Sequence, residues 1–413
     1  MTDGTHGPGP ARNDVDVAAP VLSRMRSYRL QRLRQELRWN DCAGCVLFDP
    51  VNIRYATDSR NMSVWCLHNP ARYCFVPADG PVILFEVGGC EHLAADVTGV
   101  DEVRRATSWF FFSSGPRVEE HAGRWAVEIA DLVVAHGGGN RRLAVDRCDP
   151  AGFRALASHG IDVQDGQGLL ERARSIKSGD EVVCMRASIA VAELAIARMH
   201  EALEPGITEQ ALWSVLHRTN IEHGGEWIET RLLSSGERTN PWMQECSDRV
   251  IRRGDLVSFD TDMIGPYGYC ADISRSFVAD SRRPSAAQRL LYGLAREQLE
   301  HNLSLLEPGI GFAELARRAW PIPARYSANR YSCVLHGVGL CDEYPSVAHW
   351  QDFEAKGYDG ALEPGMTVCV ESYIGAVGGI EGVKLEQQVL ISEHGVELLS
   401  TYPFESALMA REI

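Results

Sequence analysis

The stretch "DLVSFDTDMIGPYGYCADISRSF", residues 255–277, decides how the chain folds and what it holds. Two apolar runs flank a Gly-Pro-Tyr-Gly turn, which predicts a pair of antiparallel strands. Side chains two apart on a strand share a face, so Asp260 and Asp262 are expected to point the same way. Asp272, on the returning strand, can meet them across the hairpin. Three like charges converging on an apolar face repel strongly unless a counter-charge sits among them. A divalent cation meets that need. Aspartates that serve the turn or face solvent would avoid it altogether, and the hairpin alone does not choose.

Two later stretches shift the balance. "MTVCVESYIG" (366–375) carries Glu371 inside an apolar run, and "GVKLEQQVLI" (382–391) carries Glu386 in a similar setting. A buried carboxylate needs a partner, because an unpaired charge there is costly. His336, in "LHGVGLCDEYP" (335–345), sits among apolar residues as a metal ligand on a strand end would. Three Asp, two Glu and one His form an oxygen-rich set that suits Mn, Fe, Co or Zn better than a thiolate zinc site does. The favoured reading is a dinuclear centre.

Outward from these motifs, the length of 413 residues predicts two domains. Hydrophobic content of 45% and charged content of 23% are those of a soluble globular protein. No apolar run approaches the ~18 residues of a membrane span. A net charge of −15 argues against a nucleic-acid partner. Residues 1–20 are polar and Pro/Gly-rich and read as a disordered tail. Twelve cysteines without framework spacing read as free thiols in a reducing cytoplasm. "CAGC" (42–45) reads as a strand edge more readily than as a redox motif.

The run "LSRMRSYRLQRLRQELRW" is helical in pattern. "CVLFDP", "YCFVPA", "PVILFEV" and "RRLAVD" read as short buried strands, so residues 21–175 are expected to form a small α/β domain. Ser178 and Glu181 match a capping box that opens a long helix. The second domain, 176–413, alternates helices with antiparallel strands in an α+β pattern.

The order Asp…Asp…His…Glu…Glu, with "DPVNIRYATDS" and "LEPGMTVCVES", resembles the creatinase/prolidase/methionine aminopeptidase superfamily. That resemblance implies a pita-bread catalytic domain behind a smaller α/β domain, and a homodimer. It also implies that a partner's "YATDSRNMSVW" (55–65) reaches the site. The chain departs from the peptidases of this group in three ways. Asp260 and Asp262 precede Asp272 by twelve and ten residues, where the peptidases space their ligands by eleven. Trp242 stands roughly where they keep one histidine, and the Asp342 region replaces another. Those histidines hold the peptide carbonyl, so their loss disfavours peptide hydrolysis.

The segments "GGEWIETRLLSSGERTNPW", "LHGVGLCDEYP" and "VKLEQQVLI" look most like the dimethylsulfoniopropionate lyases of this superfamily. The resemblance implies Asp260, Asp262, Asp272, His336, Glu371 and Glu386 as ligands of two divalent ions. Iron is the first choice, with Mn, Zn, Co or Ni as alternatives. It implies Asp342 as general base and Tyr331 as a substrate-pocket residue. The expected substrate is a small zwitterion, cleaved to acrylate and dimethyl sulfide by β-elimination, with Asp342 suited as base if burial raises its pKa. A sulfonium favours aromatic faces, and Tyr331, Trp242, Trp227 and Tyr344 are near enough in sequence to supply them. Asp342 also fits a turn cap, Trp242 plain packing, and Tyr331 an inward position on a strand. A C–N hydrolase acting on a zwitterion, a Xaa-Pro peptidase and a non-catalytic binding protein remain as alternatives.

Overall fold

The computed structural model describes residues 16–280 and 284–409. They form two compact units that divide between Arg174 and Ser175. Most of the expected tail at 1–20 lies outside the described residues. Its last five positions do not, and the first helix, Ala19–Trp39, takes in two of them. Pro20 suits a first helical turn, where a missing N–H costs nothing.

The first unit is built on one sheet. Its strands are β1 (Gly44–Leu47), β2 (Tyr73–Pro77), β3 (Ile83–Glu86), β4 (Glu102–Arg105), β5 (Arg142–Val145) and β6 (Asp162–Asp165). They lie in the order β4-β3-β2-β1-β5-β6. The four inner strands are the apolar runs read from the sequence. β4 (EVRR) and β6 (DVQD) form the edges, and their half-exposed polar side chains carry no such signal. Trp125, from the helix Val118–His136, packs on Phe48 and Trp109 at 5.8 and 4.2 Å between ring centroids, closing the core on one face. None of the twelve cysteines forms a disulfide.

The second unit opens on the expected capping box. Ser178 N donates to Glu181 Oε2 at 2.8 Å, and Glu181 N donates to Ser178 Oγ at 3.2 Å. Such a cap stabilises the helix Gly179–Ala202 by about 1 kcal/mol. The strands that follow are β7 (Trp227–Ile228), β8 (Leu233–Ser235), β9 (Leu256–Phe259), β10 (Met263–Ile264), β11 (Cys270–Ala271) and β12 (Arg275–Val278). β13 (Leu335–Val338), β14 (Asp342–Val347), β15 (Thr367–Gly375), β16 (Gly382–Ser392) and β17 (Gly395–Leu398) complete the set. The last five form one antiparallel sheet in the order β14-β13-β15-β16-β17. Val368, Val370, Leu385 and Val389 share a core with Tyr292 and Leu299 of the helix Ala286–Ser304. Alternation sends Glu371 and Glu386 to the other face.

The hairpin at 255–277 differs from its expected form. β9 pairs with β12 in one sheet, and β10 pairs with β11 in another. The chain changes sheets at Asp260–Asp262 and again at Asp272–Ser274. Asp262 has φ 36°, a left-handed conformation, so strand alternation does not align it with Asp260. The two carboxylates converge because the strand breaks between them. Among the described residues, no helix is long and apolar enough to cross a membrane.

Candidate metal centre

Register places the sheet ligands. Glu371 lies opposite Glu386 across β15 and β16, flanked by the pairs Tyr373–Lys384 and Cys369–Gln388. His336 reaches the same spot from β13, which pairs with β15. Its Nε2 is 3.1 Å from Glu371 Oε1, 3.5 Å from Asp272 Oδ2 and 3.8 Å from Glu386 Oε1. Its Nδ1 faces Gly337 O at 3.0 Å, which leaves Nε2 for a metal. All six residues expected as ligands are buried and come together.

Two groups of donor atoms emerge, each spanning no more than 4.8 Å: Asp260, Asp262 and Asp272, and Asp272, His336, Cys369 and Glu386. Asp272 belongs to both, as a ligand shared by two ions would. The residues also fit a cation by what they lack. Asp272 Oδ1 and Glu386 Oε1 are buried without a hydrogen-bond partner, a costly state for a carboxylate oxygen.

The electrostatics agree. Burial, then the charge of Glu386, pushes Asp260, Asp272 and Glu371 above the usual carboxylate range. Burial and Asp342 push Asp262 up to about 7, against the donated hydrogen bond from Thr230. Burial would raise Glu386 too, but Lys384 and a hydrogen bond from Asp260 hold it below its ordinary value. Burial disfavours a charged His336, yet Asp342 and Glu371 overcome it and raise its pKa. Left to themselves, these carboxylates cannot all stay ionised. Cations let them.

Asp342 opens β14. Its Oδ1 is 3.7 Å from His336 Nδ1, and its side chain is 57% exposed. The burial expected for this base is absent in the single chain, but the protein mass around it still raises its pKa. His336 and Lys384 oppose that rise, and Glu386 and Glu343 add to it. The turn before it depends on glycine: a Cβ on Gly339 would stand 2.1 Å from Glu343 Oε1. Tyr331 lies in the loop ahead of β13, outside any strand. Its ring and that of Trp242 face Lys384 Nζ at 4.6 and 6.0 Å. Trp227 and Tyr344 are engaged elsewhere: the Trp227 indole donates to Glu229 at 2.8 Å, and Tyr344 stacks on Tyr358 at 5.8 Å.

Several residues here escaped the sequence reading. Lys384 sits among the ligand carboxylates. Ser274 Oγ lies 2.6 Å from Asp260 Oδ1 and 2.8 Å from Glu386 Oε2. Gln388 Oε1 accepts from Asp272 N at 3.2 Å. Glu343 forms a buried ion pair with Lys177. The period of two in "VKLEQQ" was the available signal for Lys384 and Gln388, since both fall on the face of Glu386.

Comparison with known proteins follows the same lines. Residues 183–393 match metallopeptidase family M24, and residues 29–176 match the creatinase/prolidase N-terminal domain. A dimethylsulfoniopropionate lyase DddP of Roseovarius nubinhibens is 45% identical over 96% of this chain and 90% of its own length. Its counterpart in Roseobacter denitrificans is 42% identical over 95% of this chain and 89% of its own. Among solved structures, a Xaa-Pro dipeptidase of Bacillus anthracis superposes with a TM-score of 0.73 at 20% identity, covering 92% of this chain and 99% of that one.

Proposed function

This chain belongs to metallopeptidase family M24, in the branch of its dimethylsulfoniopropionate-lyase relatives, and from that premise we propose that it cleaves dimethylsulfoniopropionate to acrylate and dimethyl sulfide. The observation that carries the reading is Asp342, an acidic group open to solvent beside His336 and outside the ligand cluster. Asp342 accepts the proton on the carbon next to the substrate carboxylate. The electron pair of that C–H bond becomes the carbon–carbon double bond, and the C–S pair leaves on sulfur as dimethyl sulfide. Tyr331 and Trp242 provide aromatic faces suited to the sulfonium. Asp260, Asp262, Asp272, His336, Glu371 and Glu386 would hold two divalent ions, with iron the first choice. Bound there, the ions would supply Lewis-acid stabilisation of the charge that gathers on the substrate carboxylate.

Glu343 supports elimination over peptide hydrolysis. It follows Asp342 in the region where the peptidases keep a histidine, and its pairing with Lys177 makes it no carbonyl-polarising donor.

The enzyme is read as a cytoplasmic homodimer. Twelve cysteines without a disulfide support a reducing compartment. Phe111 and Phe112, 73% and 83% exposed, support a covering partner. The net charge of −15 argues against a nucleic-acid partner. Incubation of iron-loaded protein with dimethylsulfoniopropionate should yield acrylate and dimethyl sulfide in equal amounts, with no cleavage of a Xaa-Pro dipeptide by the same sample. The reverse pattern would favour the peptidase reading.

A further inference from the structure

Lys384 precedes Glu386 by two residues on β16 and therefore shares its face. Its side chain is fully buried. The ammonium nitrogen is 3.1 Å from Asp260 Oδ2, 2.7 Å from Glu371 Oε2 and 3.2 Å from Glu386 Oε2. It also donates to Ser274 Oγ at 2.6 Å. The rings of Tyr331 and Trp242 flank it. Four oxygens exceed the three protons of an ammonium, so the group acts here as a charge more than as a set of directed bonds.

The charge count gives that position a meaning. Asp260, Asp262, Asp272, Glu371 and Glu386 carry five negative charges when ionised. Two divalent ions supply four positive ones, and His336 as a neutral ligand supplies none. We propose that Lys384 is a positioning residue that serves as the centre's fixed fifth positive charge and thereby holds both metals in the divalent state. The inference rests on the two-metal reading above. A fixed cation beside the ligand oxygens disfavours any further positive charge on the ions they bind. With Lys384 neutralised, balance would be restored by one divalent and one trivalent ion. For iron, that change is the loss of one electron from Fe(II) to an external oxidant.

The test uses the full chain as wild type, Lys384→Arg and Lys384→Met, each loaded anaerobically with Fe(II). Iron per chain is counted, and the bound iron is titrated against redox mediators. Wild type and Lys384→Arg should hold two irons with similar potentials, while the first oxidation of Lys384→Met shifts to a more negative potential. An unshifted potential in a two-iron Lys384→Met protein overturns the inference and leaves the two-metal reading intact. Should Lys384→Met fail to load, Lys384→Gln carries the comparison under the same criterion. Wild type holding fewer than two irons contradicts the two-metal reading itself, and the charge count with it.

Discussion

His336 and Asp342 stand 3.7 Å apart, Nδ1 to Oδ1, with the imidazole between the carboxylate of β14 and the ligand cluster below it. The other ring nitrogen meets Glu371 at 3.1 Å. One side chain thus joins the group read as a base to the groups read as metal ligands. A bulge between His336 and Gly337 makes room for this. A Cβ on Gly337 would lie 2.3 Å from Tyr344 O, so the glycine is required there.

Metal removal should destabilise the second unit. Asp272 Oδ1 and Glu386 Oε1 are buried without hydrogen-bond partners, and a chelator leaves them so. Restoring a divalent ion at a thousand times its Kd should add about 4 kcal/mol of stability. Thermal unfolding with and without chelator measures this, and a melting temperature indifferent to chelation would contradict the cluster's reading.

The buried pair of Lys177 and Glu343 offers a separate test. Breaking it with Glu343→Gln should cost about 3–5 kcal/mol, because the lysine charge is left buried alone. Lys177→Met together with Glu343→Gln should recover part of that loss. Urea midpoints of the single and double variants decide it, and strict additivity would count against a coupled pair.

His349 predicts a pH dependence away from the metals. Burial, followed by Arg330, pushes its pKa down from 6.5 to about 4. The unfolded chain therefore binds more protons than the folded one below pH 6.5. Stability present above that pH is lost as pH falls toward 4, by about 3 kcal/mol in all. The stability difference between wild type and His349→Phe should change with pH across this window. A constant difference would mean that His349 does not titrate as described.

A partner subunit should cover the exposed Phe111 and Phe112. Phe112→Asp is expected to shift the mass in light scattering from dimer to monomer at micromolar concentration. A wild-type monomer would contradict the homodimer.

The architecture was legible where apolar pattern and burial coincide. β1, β2, β3 and β5 are short apolar runs, and the Ser178–Glu181 cap declares itself by residue type. Glu371 and Glu386 stood out because carboxylates in apolar strands require an explanation. The local geometry was less legible. Asp262 adopts a left-handed backbone that no alternation rule anticipates, and the hairpin divides between two sheets. Lys384 shares the face of Glu386 by the strand's period of two, but a lysine's residue type does not mark it as buried, and the register opposite Tyr373 brings it inside. Tyr331 reaches the site from a loop, where sequence period carries no information.

The most direct measurement is dimethyl sulfide release from metal-loaded wild type and Asp342→Asn, with metal content and substrate binding matched. The account predicts release by wild type and a fall of at least about 100-fold in the variant, in keeping with the loss of a general base. Undiminished release by Asp342→Asn would remove Asp342 as the base. No release from wild type holding two ions would contradict the assigned reaction.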